Sequence, residues 1–246
     1  MTRQDVQITT ADGQANGLLF VPEVQGPWPA VLYYPDGVGV RPGLERMAER
    51  LAAEGYVVLL PNIFYRTTKG RAFDFKPNFK DDQTRQRFGE LTKPLTPDAL
   101  ERDIKAYLDF LQKRSDVKGR IGVVGYCFTG RVAMMTAALH PGTIAAMASF
   151  HGGRLHTDDG ASPHTLLPKI KAALLFGHAS NDGSMPAEAI AKFEAALKDW
   201  GGDFRSETYP AAHGWTVPDD ELGVYDPVQA NRHFEKMKSF FAANLK

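Results

Sequence analysis

One cysteine, Cys127, stands alone in a chain of 246 residues. No internal disulfide can form, so the fold does not depend on an oxidising compartment. Neither sign of charge is in excess, because 29 Lys and Arg balance 29 Asp and Glu. The basic footprint of a nucleic-acid binder is therefore missing. No apolar run approaches the length that spans a bilayer. The polar opening MTRQDVQITTADGQ also lacks the apolar centre of a secretory signal. These absences predict a cytoplasmic protein without nucleic-acid or membrane partners. No G-x-G-x-x-G or P-loop pattern follows a strand, which predicts no nucleotide cofactor. The histidines of FHGGRLHTDDGASPH (His151, His156, His164) and the later His178 fit no zinc spacing, and no helical H-E-x-x-H occurs. The expectation is no cofactor and no metal.

What is present is an ordinary globular balance, with 43% hydrophobic and 24% charged residues. Short apolar runs alternate with amphipathic ones. VQITTADGQANGLLF predicts a hairpin turning at Asp12-Gly13. AVLYY (30–34), YVVLLP (56–61), IGVVGY (121–126), AAMASF (145–150) and AALLF (172–176) predict buried strands, and FRSETYP (204–210) predicts a strand nearer an edge. Helical spacing runs through LERMAERLAAEG (44–55). Three further helices open with proline at or near the first position: 96–114 capped by Thr96, 185–202 stopped by Gly201-Gly202, and 226–246 led by Asp226. Strands alternating with helices predict an α/β fold with a mostly parallel central sheet and helices on both faces. No composition break divides the chain, so one domain over 1–246 is expected, as a monomer or small homo-oligomer. Long connections at 62–95 and 151–170 leave strand carboxyl ends, where ligands of open α/β sheets bind.

The stretch GRIGVVGYCFTGRVAMMTAAL puts Cys127 between a strand and a helix, with Gly125 and Gly130 giving room for a sharp turn. A thiol at a helix N-terminus is favoured as a thiolate by the dipole and the exposed N–H groups. A thiolate nucleophile needs a base, and the base needs an orienting group. Asp182 lies just past one strand and His213 just past the last. Nucleophile, acid, histidine is the chain order of α/β-hydrolase elbow enzymes. Taken singly, a lone cysteine packs, a lone Asp caps a helix and a lone His is solvated. The joint order at strand ends favours a triad.

On the motifs VVGYCFTG, GHASNDGSMP and YPAAHGW the sequence resembles the dienelactone hydrolase (carboxymethylenebutenolidase) family through nearly its whole length. The resemblance implies an α/β-hydrolase fold, Cys127 as nucleophile, His213 as base and Asp182 as its orienter. In YYPDGVGV it assigns Asp36 to a family acid that contacts the resting thiol. It also assigns Gly37, with Phe128, to the oxyanion-hole N–H donors. Two departures stand out. Thr129 replaces a glycine two residues after the cysteine, and Val217 replaces an arginine that holds the substrate carboxylate. A second carboxylate-binding arginine would be Arg85 or Arg87 in DDQTRQRF. Further pocket candidates are Tyr65, His151 and Trp215, with Phe73, Phe75 and Phe79 as a lid or as loop packing. The implied activity is hydrolysis of an activated small-molecule ester or lactone. A broad carboxylesterase or thioesterase, or a binding module with a relic triad, are the alternatives.

Overall fold

The computed structural model describes residues 1–219 and 221–246. It divides into two compact units, Met1–Lys118 with Pro218–Gly223, and Gly119–Val217 with Val224–Lys246.

The first unit holds β1 (Thr2–Thr10), β2 (Gly13–Val21), β3 (Ala30–Tyr33), α1 (Pro42–Ala53), β4 (Val57–Pro61), α2 (Asp82–Thr92) and α3 (Pro97–Gln112). Its strands lie in the order β1-β2-β4-β3. β1 and β2 form the expected antiparallel hairpin, with Thr10 opposite Gly13. β4 pairs antiparallel with β2 and parallel with β3. Helix α1 buries Leu44, Met47, Ala48 and Leu51, the face that its spacing predicts. The Thr96 hydroxyl accepts the Ala99 N–H at 3.2 Å and caps α3. Such a cap is worth about 1 kcal/mol.

The connection 62–95 is not a continuous loop, because α2 lies inside it. This helix buries Thr84 and Leu91 and little else, so its polar sequence carries almost no helical stripe. Phe73 packs edge-to-face on Phe75 and Phe79, and Phe79 on Phe88 of α2. The aromatic cluster therefore binds the loop to its own helix.

The second unit holds β5 (Ile121–Tyr126), α4 (Gly130–Leu139), β6 (Ile144–Phe150), β7 (Ala173–Asn181), α5 (Ala187–Trp200), β8 (Phe204–Ala212) and α6 (Pro227–Leu245). Strands β5-β6-β7-β8 are all parallel. Side chains alternate across a strand. A Cβ at Gly122 would meet Phe241 and Leu245 of α6, whereas one at Gly125 would meet the turn that opens α4. Helices α6 and α4 thus cover opposite faces of β5. Strand β7 runs past the apolar stretch to Asn181, which puts His178 inside the strand and buried.

Parallel strands end at one edge. The first residues beyond β5, β6, β7 and β8 are Cys127, His151, Asp182 and His213.

Candidate active site

Cys127 opens a 3-10 turn, Cys127–Thr129, that leads into α4. Its φ of 58° is the left-handed conformation, unfavourable for a side chain by roughly 1–2 kcal/mol. The neighbours hold it there. A Cβ on Gly125 would overlap the Thr129 carbonyl oxygen, and one on Gly130 would overlap the Ser149 hydroxyl. Glycine at both positions lets β5, the turn and β6 approach. Thr129, fully buried, replaces no space that the turn requires; its hydroxyl bonds the Tyr126 backbone.

His213 donates from Nδ1 to Asp182 Oδ2 at 2.6 Å. The other Asp182 oxygen, Oδ1, accepts the Ser184 N–H at 2.8 Å and the Ser184 hydroxyl at 2.6 Å. The Cys127 side chain lies beside His213 and raises its proton affinity. Exposure decreases along this chain of contacts. Cys127 is half-buried, the His213 side chain is 26% exposed and Asp182 is 3% exposed. A small molecule can reach the sulfur and the imidazole, while the carboxylate stays shielded.

The electrostatics follow from these contacts. Burial alone pulls His213 toward its neutral form. The interactions with Cys127 and with the Asp182 carboxylate outweigh burial and raise its proton affinity well above the ordinary 6.5. Burial also opposes the charge on Asp182. The hydrogen bonds from His213 and Ser184, with the His213 charge, hold its carboxyl below the usual 3.8. The arrangement favours the imidazolium form of His213 beside the Asp182 carboxylate.

The structure redistributes the other sequence candidates. His151 is 1% exposed, and both ring nitrogens bond protein atoms, Nδ1 the Cys127 N–H at 3.1 Å and Nε2 the Thr216 hydroxyl at 3.0 Å. It accepts a bond from the cysteine backbone and, being buried, offers no surface to a ligand. Trp215 is 0% exposed and stacks on Tyr209, so it is core. Val217 is buried as well.

In the first unit, the Tyr65 hydroxyl donates to Asp103 at 2.8 Å and bonds Thr10 at 2.8 Å. It belongs to a structural network with Arg66, whose guanidinium bridges Asp103 and Asp12. Arg85 binds Asp82 and the Phe79 and Lys80 carbonyls around the start of its own helix. Arg87 donates to the Ala72 carbonyl at 2.9 Å. Each guanidinium is engaged locally, by a carboxylate of α2 and by carbonyls of the segment that precedes it. Asp36 is 2% exposed and takes Arg41 bidentately, at 2.6 and 2.8 Å. The residue that the resemblance casts as a gate on the thiol is an ion-pair partner within its own unit. Sequence reasoning missed Arg41, which lies five residues from Asp36. Gly37 follows Asp36 and is buried.

No group of three or more His, Cys, Asp or Glu among the described residues has a metal-binding arrangement. No helix among them is long and apolar enough to cross a membrane.

Residues 15–245 match the Dienelactone hydrolase family. This chain belongs to the dienelactone hydrolase family. A Synechocystis sp. protein that bears the carboxymethylenebutenolidase name is 29% identical over 98% of this chain and 96% of its own. The carboxymethylenebutenolidase of Pseudomonas putida is 24% identical over 76% of this chain and 75% of its own. A Klebsiella pneumoniae structure described as a dienelactone hydrolase superposes with a TM-score of 0.83, at 20% identity, covering 98% of both chains. At that identity the likeness speaks for the fold, which is the α/β-hydrolase fold. The family membership makes the chain a hydrolase of the dienelactone hydrolase type.

Proposed function

We propose that this hydrolase cleaves an activated ester or lactone through Cys127, His213 and Asp182, by way of a thioacyl intermediate. The observation that carries the reading is the grouping of Cys127, His213 and Asp182, with His213 Nδ1 bonded to Asp182 Oδ2 at 2.6 Å and its proton affinity raised by Cys127. With Nδ1 engaged by Asp182, His213 has Nε2 left for the thiol proton. The thiolate attacks the carbonyl carbon, and the carbonyl electron pair moves to oxygen. The Phe128 N–H, at the opening turn of the helix, takes the developing oxyanion. Collapse expels the alkoxide, which leaves with the His213 proton. In a lactone it stays tethered to the acyl group. His213 then deprotonates water, which attacks the thioester and regenerates the thiolate. A thiolate departs more readily than most alkoxides, so good leaving groups such as enolates suit this enzyme. The family match runs through both units, which supports reading the chain as one domain.

Val217, buried and apolar, favours a broad carboxylesterase or thioesterase over an enzyme restricted to carboxylated lactones. A substrate panel separates these readings, with preference for carboxylated enol lactones pointing to the narrower one.

The mechanism is tested by acid-quenching turnover and weighing the peptide that contains Cys127. The acyl mass should appear on that peptide and vanish in Cys127→Ala, with hydrolysis. Undiminished hydrolysis by Cys127→Ala would sink the proposal.

A further inference from the structure

His151 is the first residue past β6, and its backbone is left-handed, at φ 41°. Its own N–H donates to the Gly177 carbonyl of β7 at 2.7 Å, which fixes it to the strand edge. Its ring reaches in two directions. Nδ1 lies 3.1 Å from the Cys127 backbone nitrogen, and Nε2 lies 3.0 Å from Thr216 Oγ1. A backbone N–H can only donate, so Nδ1 must present its lone pair. The ring proton of the neutral imidazole therefore sits on Nε2 and points at Thr216. An imidazolium would set N–H against N–H at Cys127.

We propose that His151 is a positioning residue that ties the Cys127 backbone to the loop carrying His213, acting as the neutral Nε2–H tautomer. The proposal rests on the reading of Cys127 as nucleophile. A left-handed non-glycine residue persists when its surroundings over-determine it. One arm of His151 grips the strained residue itself, and the other grips Thr216, three residues past His213. Movement of either segment breaks one of the two bonds.

The groups facing the ring are consistent with a neutral state. His213 lies 5.0 Å away between ring centres, Trp215 5.2 Å and Tyr126 5.7 Å. Among these His213 is the neighbour whose proton affinity is raised, and it is already paired with Asp182. A second cation at His151 would be repelled by the first. Because the ring touches protein on both sides, its loss disturbs the reacting groups and leaves substrate contacts in place.

The test combines one spectroscopic and one kinetic measurement. In isotope-labelled enzyme, a scalar coupling across the hydrogen bond should link the Cys127 amide nitrogen to His151 Nδ1. The ring nitrogen shifts should report the Nε2–H tautomer. His151→Ala removes both arms, and its kcat should fall about 10- to 100-fold with KM little changed. His151→Asn places an acceptor oxygen where Nδ1 now lies, and asparagine tolerates φ above zero. It should recover most of the Cys127 alkylation rate at neutral pH that His151→Ala loses. Absence of the coupling overturns the proposal even where the alanine variant does not fold. So does a folded His151→Ala enzyme with unchanged kcat, or an asparagine variant no better than alanine. Failure of the nucleophile reading shows separately, as hydrolysis that survives Cys127→Ala.

Discussion

The Thr129 hydroxyl clasps the backbone of Tyr126 on both sides, donating to its carbonyl at 2.8 Å and accepting its N–H at 2.9 Å. Tyr126 is the last residue of β5 and Cys127 is the next, so the clasp closes the turn immediately before the sulfur. The position where the resemblance expects glycine thus holds a side chain that stabilises the turn.

Thr129→Val keeps the shape and deletes both bonds. Each hydrogen bond contributes about 0.5–1.5 kcal/mol net, so the variant should lose about 1–3 kcal/mol in urea unfolding. Thr129→Ser, which retains the hydroxyl, should stay near the parent. Equal stability of the valine variant and the parent would show that the clasp contributes nothing.

Asp182→Asn tests the proposed role of His213 as base. The amide can donate to His213 Nδ1 and so favour the wrong tautomer, leaving a nitrogen that cannot accept the thiol proton. A loss of about 10²- to 10⁴-fold in kcat is expected. The pH profile carries the sign. Burial opposes the charge on His213, but Cys127 and Asp182 raise its proton affinity above 6.5, so the imidazolium persists up to the raised value and is lost above it. Removing the carboxylate moves that loss to lower pH. Titration of the His213 ring followed by NMR would reveal this shift, and an unmoved midpoint would contradict it.

Much of the fold is legible in the sequence because the signals are local. The Asp12-Gly13 turn, the Thr96 and Asp226 caps and the apolar runs of β3 to β6 each lie within a few residues of what they determine. The places of Cys127, Asp182 and His213, the three residues proposed to react, are legible for the same reason, since each follows a strand end directly. What escapes is decided at a distance. Helix α2 has two buried residues, so no periodicity announces it. His151 reads as a pocket wall because its partners, Cys127 and Thr216, lie 24 and 65 residues away. The polar tail of β7 hides the continuation of the strand, and with it the burial of His178.

Arg41 and Asp36 offer a test of a buried charge cluster. Arg41 is 3% exposed in its side chain and also donates from Nε to Asp219 at 2.7 Å. Arg41→Met would leave the Asp36 carboxylate buried without its cation, at a cost of about 3–5 kcal/mol. Asp36→Leu combined with Arg41→Met should recover part of that loss, because an apolar pair replaces an orphaned charge. A single variant as stable as the parent would show that Asp36 finds another partner or takes up a proton.

His178 should govern part of the acid sensitivity of the fold. Its Nε2 lies 3.2 Å from the Ser206 hydroxyl, which in turn donates to Glu194 at 2.8 Å. Its Nδ1 is buried with no partner among the described residues. Burial pulls its pKa down to about 4, against the weaker opposing pull of the Glu194 and Asp182 charges. Between 6.5 and about 4 the unfolded chain holds a proton here that the folded chain refuses, so stability falls as pH falls through that window and levels off below it. A displacement of this size corresponds to about 3 kcal/mol. His178→Leu removes the titrating ring, and its urea stability should depend less steeply on pH across the same window. An identical slope in variant and parent would assign the acid sensitivity to other groups.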